Sequence, residues 1–433
     1  MSDSRFRAHR RAILAGLGAS GAAALLPASA WAAESGSLAL TAKAGTIALR
    51  PGQAGSSAWM LESSPAPFRA KRGTTLDMSL ANALPLPVAF SWRGLGRAPQ
   101  MEPMAMLAAG ARSKLVVPMS QAGTGLCDIR PLADGAAAPT RPLPLIIDES
   151  ESVNVDRDEV FLVEDWRVTS DGAALPPGVD PRGTEASFTI NGAARADIAA
   201  RGHQRIRLRL INGCQRAVIA IKIADVDVRV MAIDGQPAEP FSARNGAVVL
   251  PPGGRTDAFI DVPPTPGATK AILLHDGTTA RPAGSLIIGS EPPIRPAVLP
   301  PAPALPSNGL PDRLDLKSAV RAELPLDGAD WVSPQKFSTS ASAAFQAKVG
   351  RTVVLALTNR ARIATVFHLH RHSFRLLDRL DDGWKPYWLD TLALEPGQTQ
   401  RVALAAENPG RFLIESMATD WAAPRLVRWY EVG

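Results

Sequence analysis

The chain has 433 residues, long enough for two to four domains. Its 38 prolines and 35 glycines punctuate nearly every stretch, and long amphipathic helical patterns are scarce, which excludes a mainly helical architecture. Lysines and arginines outnumber aspartates and glutamates by 47 to 41, but Arg5, Arg7, Arg10 and Arg11 against Asp3 put half of the formal +6 in the first 32 residues, so the remainder is nearly balanced and nucleic acid is not an expected partner.

Residues 1–32 read as an export signal rather than as part of the fold. SRFRAHRR is a basic segment ending in Arg10-Arg11, the run from Ile13 to Leu26 is apolar, and Ala30-Trp31-Ala32 fits a cleavage site before Ala33. The paired arginines resemble a twin-arginine signal, which predicts a periplasmic protein. The apolar run is too short to span a bilayer comfortably, and no later stretch is long and apolar enough to do so. Cys127 and Cys214 leave two readings open in that compartment, a disulfide or two buried thiols.

Further along, a motif recurs three times. AKRGTTLDMSLANAL begins at Ala70, ARGHQRIRLRLINGC at Ala200 and AKVGRTVVLALTNRA at Ala347. Each copy has a basic residue near a glycine, an alternating strand, and an asparagine nine or ten residues after that glycine. The period-two pattern of Ile206, Leu208 and Leu210 predicts a half-buried strand. Three copies spaced by the size of a sandwich predict an all-β chain of three consecutive Greek-key sandwiches. The expected boundaries are 33–150, 151–290 and 307–433. The proline-rich stretch 291–306 between the last two is a stiff extended linker by composition.

In the last unit, TVFHLHRHSF (365–374) holds three histidines at every second position. On a strand His368, His370 and His372 would project to one face, and with Glu415 or Asp128 nearby they would form a two-histidine, one-carboxylate metal site. Two other features read as packing. Trp384, Tyr387 and Trp388 are expected to fill a turn-and-strand region, and Met101, Met104 and Met106 to pack a loop against its own domain. The DRLDD run at 378–382 reads as a solvated hairpin end.

NALPLPVAFSWRGL, AGTGLCDIR and PLPLII resemble the first domain of multicopper oxidases. FTINGAARADIAARGHQRIRLRLINGC, VMAIDGQPAEP and LPPGGRTDAFIDV resemble the middle domain. FHLHRHSF and WLDTLALEPGQTQRVALAAENPGRF resemble the last. The resemblance follows the family's order through the whole mature chain and implies three cupredoxin domains. It also implies four short motifs that supply histidines to a trinuclear copper cluster, and a blue copper site with two histidines and a cysteine. Residue by residue, this sequence departs from that pattern. The first motif stands as Ser91-Trp92-Arg93-Gly94 and the second as Asp128-Ile129-Arg130. The third keeps His368 and His370, but Thr365 stands where the blue-copper histidine belongs. The fourth reads Glu415-Ser416-Met417, with Trp421 at its last histidine and Leu426 at the axial methionine. The family needs about ten histidines and a cysteine. This chain has six histidines, of which His9 lies in the signal and His203 and His275 in the middle unit, away from the copper positions.

Four of the eight cluster positions carry charge, namely Arg93, Arg130, Asp128 and Glu415. Guanidinium has no lone pair for a metal and forks well onto carboxylates. The expectation is therefore an ion-pair network that fills the former metal cavity and joins the first domain to the third. That pattern resembles the copper-ligand-depleted branch of the family, which includes a twin-arginine-exported periplasmic protein of bacterial cell division. It implies a non-catalytic envelope scaffold with protein partners and no cofactor. The competing reading is a metal-dependent oxidoreductase or metal-binding protein, with copper or another single metal on His368, His370 and a carboxylate.

Overall fold

Each copy of the repeat opens on a residue in the left-handed region, nine positions before its asparagine: Gly73 (φ 94°), His203 (φ 61°) and Gly350 (φ 83°). In the middle copy the turn therefore falls on His203 and not on the neighbouring glycine. Gly202 is small for another reason, since a Cβ there would sit 3.1 Å from Pro264 and Pro293. The strands that follow are Thr75–Asn82, Arg205–Asn212 and Thr352–Thr358. Asn82, Asn212 and Asn359 are all buried and do the same work. In each, Oδ1 accepts the backbone N–H two residues on, while Nδ2 donates to carbonyls of two flanking loops, such as Ala217 and Leu250 for Asn212. Satisfying buried loop carbonyls requires an amide at that position, which is why the asparagine recurs.

The computed structural model describes residues 35–50, 55–64, 67–95, 104–132, 134–135, 138–378 and 383–433. The signal segment, Met101 and residues 379–382 of the DRLDD run lie outside the described residues. Among the described residues the strands form six sheets in three pairs. In every pair one sheet sets an early strand parallel to the repeat strand: Ser35–Ile47 beside Thr75–Asn82, Arg157–Val168 beside Arg205–Asn212, and Val320–Pro325 beside Thr352–Thr358. The facing sheet is built on one antiparallel ladder three times over: Leu143–Asp148, Gly123–Pro131, Val88–Arg93; Ala280–Ile288, Thr269–His275, Ile219–Ile223; and Arg425–Val432, Gly410–Ala418, Thr365–Leu369. The architecture is all-β, three Greek-key sandwiches in succession, with 3-10 turns at Arg244–Gly246 and Pro334–Lys336.

Each sandwich encloses its own apolar core. Leu38, Leu80, Phe90, Trp92 and Ile129 belong to the first, Ile206, Leu208, Leu210, Ala258 and Ile260 to the second, and Leu355, Phe367, Phe374, Ile414 and Tyr430 to the third. Because strand residues alternate, filling these cores sends the intervening side chains outward. On Arg205–Asn212 the outward set is Arg205, Arg207, Arg209 and Ile211. The half-buried strand expected from periodicity is in fact buried along its whole length. Its arginine face meets Asp148 and Glu149 of the first sandwich together with Asp158, Asp257 and Asp261 of its own. Residues 291–306 run along the second sandwich, fastened by Arg295 to Asp156, by the Leu299 carbonyl accepting from Arg205 (3.0 Å), and by burial of Leu305 against Met231 and Phe259.

Candidate functional site

The same alternation aims the motif residues. Phe90 and Trp92 point into the first core, so Ser91 and Arg93 leave by the other face; Cys127 and Ile129 do the same for Asp128 and Arg130. Ser91 lies directly opposite Asp128 in the ladder, and Ala89 opposite Arg130. In the third sandwich Phe367 and Leu369 point inward and His368 outward, with Glu415 and Thr391 opposite it on the two neighbouring strands. These two outward faces meet across a seam.

Arg93, 4% exposed, crosses that seam. Its Nη2 lies 3.5 Å from Glu415 Oε2 and its Nη1 donates to Thr391 Oγ1 at 3.0 Å. The guanidinium rests on Gly253 of the second sandwich, where a Cβ would lie 2.5 Å from Arg93 Cζ. Glu415 also faces His370 Nε2 (3.2 Å) and Arg425 Nη1 (3.9 Å). Burial alone would raise the Glu415 pKa, but Arg130, His370 and Arg425 hold it well below the usual carboxylate range. Arg130 reaches Asp128 within its own sandwich, Nε to Oδ2 at 3.3 Å. The expected joint between the first and third sandwiches therefore runs through Arg93 and Glu415, while Arg130 and Asp128 pair locally. Two-pronged forks occur elsewhere. Arg255 of the second sandwich clamps Asp390 of the third with 3.0 and 2.7 Å bonds, and Arg207 clamps Glu149 of the first with two 2.9 Å bonds.

The three histidines do not share one face. Strand Thr365–Leu369 ends before His370, and Arg371 adopts φ 71°, which turns the chain. The His368 and His370 rings stay edge to face with centroids 4.5 Å apart, whereas His372 packs on Phe412 and Tyr430. Tyr430 donates its single proton to the His370 carbonyl (2.5 Å), so His372 Nδ1 donates to the Tyr430 oxygen (2.6 Å) and its Nε2 accepts the Asn408 N–H. His368 Nδ1 lies 3.0 Å from the Asp390 carbonyl and from Thr391 Oγ1, which fixes its proton on Nδ1 and leaves the Nε2 lone pair free. Both His368 Nε2 and His370 Nε2 are buried without an aligned hydrogen-bond partner. Burial, with Arg93 and His370 adding to it, lowers the His368 pKa to about 3. Burial lowers His372 to about 4, and His370 shifts down for the same reason against the pull of Glu415.

The other residues that the resemblance sets at ligand positions have duties of their own. Thr365 Oγ1 meets Asn359 Oδ1 at 3.2 Å, and Ser416 donates to the Leu326 carbonyl at 2.8 Å. Met417 Sδ accepts from Arg216 (3.1 Å), Trp421 Nε1 donates to the Pro176 carbonyl (2.9 Å), and Leu426 packs on the third core. Ser91 Oγ is buried without a partner. None of these is a thiolate or an imidazole, the donors that blue copper and the trinuclear cluster require. Among the described residues, no group of three or more histidine, cysteine or acidic side chains is arranged to hold a metal ion. Cys127 and Cys214 are free, buried in separate cores, with their thiol pKa values pushed up by burial.

Sequence reasoning missed the share taken by the second sandwich. Asp234 Oδ2 accepts the backbone N–H groups of Asp390 and Thr391 (2.9 and 3.1 Å), so it holds the strand that carries the partners of His368. Burial, with Asp390 beside it, raises Asp234 to about 7. Arg209, fully buried, bonds Asp158, Thr124 and Asp257, and Arg207 reaches Asp257 at 2.5 Å. One signal was available for these arginines. In RIRLRL they occupy every position not taken by the core, and a strand face of one charge needs a matching surface.

Residues 158–269 and 307–433 each match the multicopper oxidase family, together more than half of the chain. Over 320 residues the chain is 23% identical to the multicopper oxidase MmcO of Mycobacterium tuberculosis, a match spanning 62% of this chain and 61% of that protein's length. Among solved structures, a multi-copper oxidase from Pseudomonas thermotolerans is 24% identical with a TM-score of 0.76, covering 93% of this chain and 100% of that one. Lac15 from a marine microbial metagenome is 22% identical with a TM-score of 0.72, covering 92% and 99%. At these identities the solved structures speak to the fold. On the family matches, with the three-sandwich architecture beside them, the chain belongs to the multicopper oxidase family.

Proposed function

We propose that this chain is a copper-independent member of its family, a non-catalytic scaffold or interaction protein of the bacterial envelope, exported to the periplasm by the twin-arginine route. Arg93 carries the reading. It stands where the family's first motif has a histidine, is bound to Glu415 and Thr391 across the seam, and adds a fixed positive charge beside the two remaining cluster imidazoles. A cation there opposes metal binding, and removing copper removes the four-electron chemistry. Metal analysis of the purified periplasmic protein should show no stoichiometric copper, and assays with a phenol and with cuprous ion should show no turnover. Stoichiometric copper, lost on changing His368 and His370 to Ala, would sink the proposal. The link to cell division rests on the resemblance alone. A deletion strain should divide poorly under envelope stress, and unimpaired division would remove that part.

A second reading draws on the unaligned Nε2 atoms of His368 and His370, with Glu415 3.2 Å from the latter. It makes the pair a site for one metal ion, and it predicts one equivalent of copper or zinc bound in titration of the wild type.

A further inference from the structure

Arg371 lies between the histidines, and its charge has no counter-charge among the described residues. Among the described residues no hydrogen bond, ion pair or ring contact engages its guanidinium, although the side chain is half-buried. Its φ of 71° is a conformation that a non-glycine residue holds only when the surroundings impose it, and such outliers cluster at binding sites. Burial pulls its pKa down, as for a cation lacking a counter-charge.

Beside it is a cavity of about 60 Å³ whose lining includes Arg130, His370, Arg371, Arg411, Glu415 and Arg425. A cavity needs roughly 10–15 Å³ to admit one water, so this one is several times larger than that minimum. Four guanidinium groups face a single lining carboxylate, and Glu415 is already shared by Arg93, His370 and Arg425. Arg411 is paired with Glu431 (3.1 Å), and Arg425 donates to the Pro131 carbonyl (3.1 Å). Arg130 sets its Nε 3.3 Å from Asp128 Oδ2 without an aligned hydrogen bond, and no hydrogen bond engages its terminal nitrogens among the described residues. The guanidinium of Arg371 and the terminal nitrogens of Arg130, whose Nε faces Asp128, therefore border one small cavity.

We propose that this cleft binds a tetrahedral oxyanion, inorganic phosphate or the terminal phosphate of a larger molecule, with Arg371 and Arg130 as its two-pronged ligands and Arg425 as a third positive charge. Guanidinium matches phosphate oxygens in geometry as well as charge. The third sandwich contributes Arg371 and Arg425 and the first contributes Arg130, so the anion would also bind the two together.

The test is calorimetric titration of the full mature protein with sodium phosphate, with ionic strength held constant by chloride. Saturable binding of one equivalent is expected, at least tenfold weaker in Arg371→Gln and unchanged in Arg182→Gln, an exposed arginine of the second sandwich. Arg371→Lys keeps the charge but not the fork and should fall between. Arg371→Gly relieves the left-handed backbone, so it should melt at or above the wild-type temperature while losing the upward shift that phosphate gives the wild type. Phenyl phosphate in place of inorganic phosphate separates the two sources: equal or tighter binding assigns the site to a terminal phosphate, weaker binding to the free anion. No saturable phosphate binding by the wild type, or undiminished binding by Arg371→Gln, would overturn the proposal.

Discussion

Strands Arg205–Asn212 and Thr365–Leu369 both run through contacts between sandwiches, and both are buried from end to end. The first presents Arg207 and Arg209 to the seam with the first sandwich, and their terminal nitrogens meet Glu149, Asp257, Asp158 and Thr124. The second presents His368, followed by His370, and two ring nitrogens there have no aligned partner. Where charges are matched the seam is closed and structural. Where ring nitrogens are left without aligned partners, the seam is not closed by hydrogen bonds.

The largest test of this contrast is Arg209→Ala. It leaves Asp257 and Asp158 facing a cavity and should lower the free energy of unfolding by about 5 kcal/mol, the upper end for breaking a buried ion-pair network. Denaturant unfolding reads this directly, and a loss under about 1 kcal/mol would mean the matched seam is hydrated and weak.

Acid should act mainly on the buried histidines of the third sandwich. His368 and His372 have folded pKa values of about 3 and 4, below the ordinary 6.5, so their contribution is complete above pH 6.5 and is lost as the unfolded chain takes up protons below it. Asp234, raised to about 7, works in the opposite sense over the same range and offsets one of them. At about 1.4 kcal/mol per pH unit for the remaining group, stability should fall by about 2 kcal/mol from pH 6.5 to pH 5. Below the ordinary carboxylate range Glu415 and Asp390, both held low, add to the loss. Equal stability at pH 6.5 and 5 would show the imidazoles to be hydrated.

Arg93→Ala should cost less than Arg209→Ala, about 1–2 kcal/mol, because Glu415 keeps Arg425 and His370. A cost matching that of Arg209→Ala would erase the distinction between the two seams. Smallest of the four, Ser416→Ala removes the donor to the Leu326 carbonyl and should cost about 1 kcal/mol in thermal or denaturant unfolding. A neutral result would mean that water replaces the hydroxyl there.

The fold was legible because it is written in local signals. The repeat announced three strands of one type, and its asparagines turned out to hold equivalent loops in each sandwich. The positions of Ser91, Arg93, Asp128 and Glu415 relative to the seam follow from alternation once the core residues beside them are known. The shared face of three histidines was misread because a period of two holds only while the strand lasts, and Arg371 ends it with a positive φ. The role of Asp234, Arg255 and Asp390 was invisible because these residues are far apart in sequence and each reads as an ordinary polar residue of a turn or strand end.

By itself, then, the sequence determined the sandwich type and the number of sandwiches, since these depend on periodicity, turn residues and residue chemistry. Tertiary structure decided which charges meet. Arg93 with Glu415, Arg255 with Asp390, and Arg371 with no partner among the described residues are outcomes of how three sandwich faces are apposed. Side-chain pairing over a few ångströms is sensitive to that apposition in a way that strand alternation is not.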